Sequence, residues 1–222
     1  RAPEMSDTRC WKQCFQHHVA FCFVLYTYNI YLYLYLSHDL TWNKHIETII
    51  GNANRSLGFL RRNLRTAPHE IKKLTYLSLV RSKLEYASAL WDPPQLYLSL
   101  MLEAVQNRAA RFIVGNYSRN SSISAIKDEL HLSNLVSRRR IARLSLFHRF
   151  LHTPSLDSPI IRSATFFPRL DHRYKVNRFD CRTDIFAKSF FYRTAIDWNG
   201  LPSDIAEVVD HSSFHGRIGP AS

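Results

Sequence analysis

Arginine is the residue type that this chain groups into patterns. Arg61, Arg62 and Arg65 follow Arg55 at the end of one helical run, and Arg108 and Arg111 stand three apart on another. Arg138, Arg139, Arg140 and Arg143 make the densest basic run. A guanidinium offers a planar fork of donors that matches phosphate oxygens, so groups of this kind can hold a polyanion by its backbone. Arg61 and Arg65 are spaced i, i+4 and share a helix face away from Leu57, Leu60 and Leu64. Two plainer roles compete. Cations at a helix C-terminus offset its dipole, and "SRRRIAR" also suits a solvated face or a basic localisation signal. Phosphate contact is the preferred reading at both clusters, with Arg108 and Arg111 as a smaller patch.

Other chemistry finds little support. The chain has no Gly-rich phosphate loop and no Gly-x-Ser-x-Gly elbow. Glu47, Glu70, Glu85, Glu103, Asp128 and Glu129 are scattered, with no pair spaced to hold a metal, and the 11 histidines are dispersed. Cys10, Cys14, His17, His18 and Cys22 are metal-type residues, but their spacing is wider than a zinc knuckle and lacks a second half. With Cys181 far away, the 4 cysteines form no disulfide framework, which favours a reducing intracellular compartment, cytoplasmic or nuclear. No catalytic residue, metal or cofactor is expected.

Bulk properties point the same way as the arginines. A net charge of +12 and a pI near 9.8 favour RNA, DNA or an anionic membrane surface as partner. With 222 residues the chain holds one domain, or one and an appendage.

The elements that must position these residues can be read from apolar periodicity. A first helix, Trp42 to Leu64, carries Trp42, Ile46, Ile49, Ala53, Leu57, Leu60 and Leu64 on one stripe, with Thr41 as N-cap. A second, Ala67 to Trp91, carries Leu74, Leu77, Val80, Leu84, Ala87 and Trp91, with Thr66 as cap and Pro68 in its first turn. Pro93 and Pro94 end it. A third, Leu96 to Val114, carries Leu98, Leu102, Val105, Ala109 and Phe112 and stops at Gly115. No single stripe can be hidden alone, so the expected fold is mainly α, with a three-helix bundle over 37–115. Residues 116–152 read as a linker and basic helices: Ile123 to Leu130 capped by Ser121 or Ser122, then Ser133 to about Leu151 with Ile141, Leu144, Phe147 and Leu151 on one stripe. Residues 153–222 form a smaller helical and irregular extension. In it Arg169 to Arg182 mixes basic residues with Tyr174 and Phe179, a pattern that suits single strands. Phe186, Phe190 and Phe191 should anchor it, and "AIDWNGLP" should be a short helix ending at Gly200 with Trp198 buried.

The leader, residues 1–36, is divergent and begins at Arg1, so the true start is expected further upstream. Val19 to Leu36 is uncharged for eighteen residues, the lower limit for a membrane-crossing helix. Its Tyr/Leu alternation favours a strand over a membrane span; a small protein anchored in a membrane through residues 19–36 is the alternative reading.

A resemblance extends this reading. "LTWNKHIETIIGNANRSLGFLRRNLRTAPHEIKKLTYLSLVRSKLEYASALWDP" is followed by "LEAVQNRAARFIVGNYSRNSSISAIKDEL", "RRRIARLSLFHRF", "RTDIFAKSFFYRTAIDWNGLP" and "SSF". Their order and spacing resemble the C-terminal, thumb and post-thumb region of non-LTR retrotransposon reverse transcriptases, jockey-like elements of arthropods, ticks included. The resemblance spans roughly Tyr31 to Phe214. It implies descent from an RNA-directed DNA polymerase whose thumb holds a template–primer duplex, and an intact retrotransposon polyprotein as a further partner. Family polymerases hold two Mg²⁺ with a Tyr-x-Asp-Asp turn. Tyr86-Ala87-Ser88-Ala89 shares only its first two letters, lacks aspartate, and is expected inside a packing helix. Polymerisation is therefore not expected, the end of the chain is expected to be truncated relative to the family, and a non-functional remnant of a decayed element is a further alternative.

Overall fold

The computed structural model describes residues 34, 41–118, 120–153, 172–177 and 183–219. The described chain is mainly α. Apart from Leu34, which packs on the first core, the leader with Val19 to Leu36 and its cysteines lies outside these residues. So do most of the loop from His152 to Pro168 and most of Arg169 to Arg182.

Helix α1 (Asn43–Asn63) buries Ile46, Ile49, Ile50, Ala53, Leu57 and Leu60. These are the predicted stripe positions, with Ile50 added and Leu64 half-buried beyond the helix end. Its N-cap is Trp42, not Thr41, and no side-chain bond closes it. Helix α5 (Leu96–Val114) buries the five expected residues and ends at Gly115, whose φ of 72° is the left-handed conformation that glycine adopts without steric cost.

The second predicted helix is not one helix. Helix α2 (His69–Tyr76) runs into a π-turn over Leu77–Arg81, then α3 (Ser82–Glu85) and, after a break, α4 (Ser88–Trp91). Thr66 does not cap it: the chain enters from Pro68. Proline disfavours the helical region for the residue before it, so Ala67 cannot start the helix and Thr66 cannot sit at its cap. The buried face is also rotated from the predicted one. Lys72, Tyr76, Val80, Leu84, Ser88 and Trp91 are buried, whereas Leu74 is 60% exposed. Each step of four residues overshoots a 3.6-residue turn by about 40°. The π-turn, with its extra residue, restores the phase that a continuous α-helix would lose. The break lies at Tyr86 and Ala87, where φ reaches 51°. The Tyr86–Ala89 tetrapeptide therefore straddles a corner, with Ser88 and Ala89 opening α4, and does not lie within one continuous helix; the Tyr86 carbonyl accepts a bond from Trp91 Nε1 at 2.8 Å.

α1, the α2–α3 run and α5 pack on one another as a three-helix bundle. Inside it Tyr76 Oη donates to Gln106 Oε1 at 2.8 Å, and Gln106 Nε2 donates to the Ser133 carbonyl at 3.0 Å. Burial pushes the Tyr76 phenol far above its ordinary value, so it acts as a hydrogen-bond donor and not as an acid.

Helix α6 (Ile123–Glu129) follows the loop at 116–122 and is capped by Ser122, whose Oγ accepts from the Ala125 N–H at 3.4 Å. It closes in a double-bonded C-terminal turn: the His131 N–H donates to the Asp128 carbonyl and the Leu132 N–H to that of Lys127, with His131 at φ 51°. Helix α7 (Leu135–His152) starts two residues later than expected. Glu103 Oε2 accepts the Leu135 N–H at 3.0 Å while Glu103 Oε1 meets Lys127 Nζ at 2.8 Å, so one carboxylate of α5 joins α6 and α7.

Helix α7 is shared by two cores. Leu135 belongs to the first; Leu144, Phe147 and Phe150 belong to the second. The second core adds α9 (Phe190–Asn199), α10 (Ser203–Ala206) and α11 (His211–Ile218), and α8 (Asp184–Ala187) lies beside α9. Phe190 and Phe191 are buried and Trp198 is fully so, as predicted; Phe186 is half-buried against Tyr192. Trp198 Nε1 donates to the Tyr174 carbonyl at 2.8 Å, and Asn199 exchanges two bonds with the Val176 backbone at 3.0 and 2.9 Å. These bonds tie 172–177 to α9. Three histidines gather at one edge. His148 stacks on Phe214 at 4.2 Å, bonds the Val208 carbonyl at 2.7 Å, and adjoins His152 and His211.

Candidate nucleic-acid interface

The structure divides the predicted arginines into three groups. Arg61, Arg62 and Arg65, at the end of α1, are exposed and make no hydrogen bond or ion pair among the described residues. Arg108 is exposed and donates to Asn54 Oδ1 at 2.9 Å, while Arg111 pins the following loop through the Ser118 carbonyl at 2.7 Å and Ser121 Oγ at 3.0 Å.

The third group faces inward. Arg139 and Arg143 are 1% and 5% exposed. Arg139 Nε donates to Asp92 Oδ1 at 2.7 Å. Arg143 Nε lies 2.9 Å from Asp92 Oδ2, and its Nη2 donates to Asp197 Oδ2 at 2.9 Å. From α9, Arg193 Nη1 donates to the Asp92 carbonyl at 2.7 Å and Nη2 to Asp92 Oδ2 at 3.1 Å. Arg138 forms a two-pronged pair with Glu85, and Arg140, half exposed, lies 3.5 Å from Asp197. The predicted phosphate-facing cluster is thus for the most part an internal ion network between the two cores, and it presents neither Arg139 nor Arg143 to a ligand. Leu135, Arg139, Arg143, Phe147 and Phe150 follow helical spacing on one buried stripe, a signal that could have marked these two arginines as interior. It is not a solvated face either.

The exposed end of α1 has more to it than its arginines. Arg61 and Arg65, with Lys72 of α2, Phe112 and Gly115 of α5 and Tyr117, line an open cleft of about 410 Å³. Lys72 is 7% exposed, and its ammonium lies 5.4 Å from the centre of the Phe112 ring; the Arg61 guanidinium lies 5.5 Å from the centre of the Tyr117 ring. Among the described residues no carboxylate lines the cleft. The C-terminal dipoles of α1 and α5 bring partial negative charge here, worth about half a charge each, and three full cations exceed it. Arg61 and Arg65 were legible as a patch. Lys72 was not, because a lysine in a helix gives no sign that it is buried, and in the sequence Phe112 reads as a packing residue and Gly115 as a helix stop.

Among the described residues no group of His, Cys, Asp and Glu is arranged to hold a metal ion, and no helix is long and apolar enough to cross a membrane. Compared with protein-family models, curated proteins and solved structures, the chain gave no match.

Proposed function

We propose that this chain is a C-terminal segment of a jockey-like non-LTR reverse transcriptase that binds RNA or DNA by its backbone and does not itself polymerise. The motifs and their order support the descent. The observation that carries the binding is the separation of charge: the Arg138–Arg143 run is answered by carboxylates, whereas Arg61, Arg65 and Lys72 line a cleft with none among the described residues, and Arg62 stands exposed on the same helix end. Contacts from such residues fix a nucleic acid without reading its sequence. An intact polyprotein of the same element would be a natural second partner, in the cytoplasm or nucleus.

The test is binding across a salt series, by anisotropy, on RNA–DNA hybrid, duplex DNA and single strands. Each phosphate contact contributes roughly 0.9 to the log–log slope on duplex DNA, so replacing Arg61, Arg62 and Arg65 by glutamine should flatten it by about two to three units with helicity unchanged. Arg140→Gln should leave the slope as it was. If the triple variant keeps the wild-type slope on every substrate, those arginines are only a solvated helix end.

A further inference from the structure

We propose that the cleft at the end of α1 is a site for one nucleotide, its phosphate among Arg61, Arg65 and Lys72 and its base against the ring of Tyr117. The inference rests on the nucleic-acid reading above and narrows it: the chain would hold a single nucleotide unit here, in addition to its contacts along a backbone.

Three features carry it. The first is Lys72. The residue is 7% exposed, and its ammonium lies over the face of Phe112 at the wall of the cleft. Among the described residues no carboxylate pairs with it, so an anion entering the cleft would meet a cation already held in place. Arg61 and Arg65 stand at the same opening, so a phosphate dianion would meet three cations from two helices.

The second feature is Tyr117. It is 55% exposed, yet it is held beside Arg61, in a loop that Arg111 fastens through Ser118 and Ser121. An exposed ring fixed next to cations is the arrangement on which an unpaired base stacks. The third is size and shape. About 410 Å³ lies within the range of small-ligand sites, and it is far too small for a duplex. At Gly115 a Cβ would meet nothing within 4 Å, so the floor there is open and not filled by packing.

The shared chemistry is a phosphate joined to an aromatic base, and it could come from a free nucleotide or from the phosphorylated end of a strand. Calorimetry on the full 222-residue chain would use AMP, adenosine, inorganic phosphate, and one oligonucleotide with either a 5′-phosphate or a 5′-hydroxyl end. AMP should bind at least about tenfold more tightly than adenosine or phosphate. Arg65→Gln and Lys72→Met should each weaken AMP about tenfold or more. Tyr117→Ala should weaken AMP by about five- to 150-fold and leave phosphate unchanged, since stacking is worth about 1–3 kcal/mol. A strand source would show as preference for the 5′-phosphate that Lys72→Met abolishes; a free-nucleotide source would show as AMP binding with no preference between the two strands. Arg65 and Tyr117 are exposed, so their variants should fold even if Lys72→Met does not. If AMP binds the wild type and all three variants alike, or not at all, and the 5′-phosphate changes nothing, the proposal fails. If AMP and phosphate bind equally and Tyr117→Ala is silent, the cleft is an anion site only, and the nucleotide assignment fails. In either case a wild-type salt slope on duplexes that the arginine triple variant flattens would leave the backbone-binding reading standing.

Discussion

Asp92 is the residue on which the inter-core contact turns. It is a carboxylate 8% exposed, with guanidinium groups of Arg139, Arg143 and Arg193 around it from two helices. The Asp92 charge and that of Asp197 keep those arginines tolerable inside the molecule. Burial pushes the Arg193 guanidinium below its ordinary value, and Asp92 opposes the shift. Asp92→Asn should therefore do more than remove a contact, since it leaves buried positive charges facing one another. The expected loss is about 3–5 kcal/mol of unfolding free energy, the usual cost of breaking a buried pair by removing one partner. Denaturant titration measures it. A loss below about 1 kcal/mol, the value of an exposed pair, would show that water reaches the network.

At the scale of elements, helix ends explain most departures from ideal geometry. Helix α6 ends in a turn whose left-handed position is filled by His131 at φ 51°, where glycine is usual. A side chain there costs roughly 1–2 kcal/mol of backbone strain. His131 is exposed, so little packing is lost if it is replaced. His131→Gly should raise stability by about 1 kcal/mol, less than the strain because glycine also loosens the unfolded chain. A higher midpoint in urea, with the slope unaltered, is the expected result; a lower one would show that the imidazole contributes something the strain does not outweigh. Ala87 has the same φ but is packed on the first core, so glycine there would trade strain against a lost methyl contact.

At the scale of the whole molecule, three histidines held below their ordinary value gather on the second core. Burial holds His148 below its ordinary value against the opposing pull of the Val208 carbonyl and Asp210. His152 is lowered by burial and by His148. His211 is lowered by burial, then by Arg149, His148 and His215, with Asp210 opposing. With the folded-state values depressed, the unfolded chain takes up protons first as pH falls below about 6.5. The stability these groups contribute is therefore complete above that pH and is lost as pH falls through the unfolded value toward the folded ones. The melting temperature should fall between about pH 7 and pH 5, and His148→Gln should make that dependence shallower. An unchanged slope of melting temperature against pH in the variant would place the sensitive groups elsewhere. His45, also lowered by burial, would then be examined in the same way.

Local chemistry settles much of this protein without any long-range contact. The stripes of α1 and α5, the stop at Gly115, a serine cap at 121 or 122 and the buried Trp198 follow from periodicity and terminus chemistry, which act within a few residues. The basic patch of Arg61 and Arg65 was legible for the same reason. What the sequence could not show is which charges meet. Arg139 lies 47 residues from Asp92 and Arg143 lies 54 from Asp197, so "SRRRIAR" looks like a surface until folding brings the carboxylates to it. The π-turn that rotates the second helix, and the burial of Lys72 beside Phe112, arise because α1 and α5 must both be packed at once. Those are decisions of tertiary structure, since a residue's solvent exposure depends on neighbours that are distant in the chain.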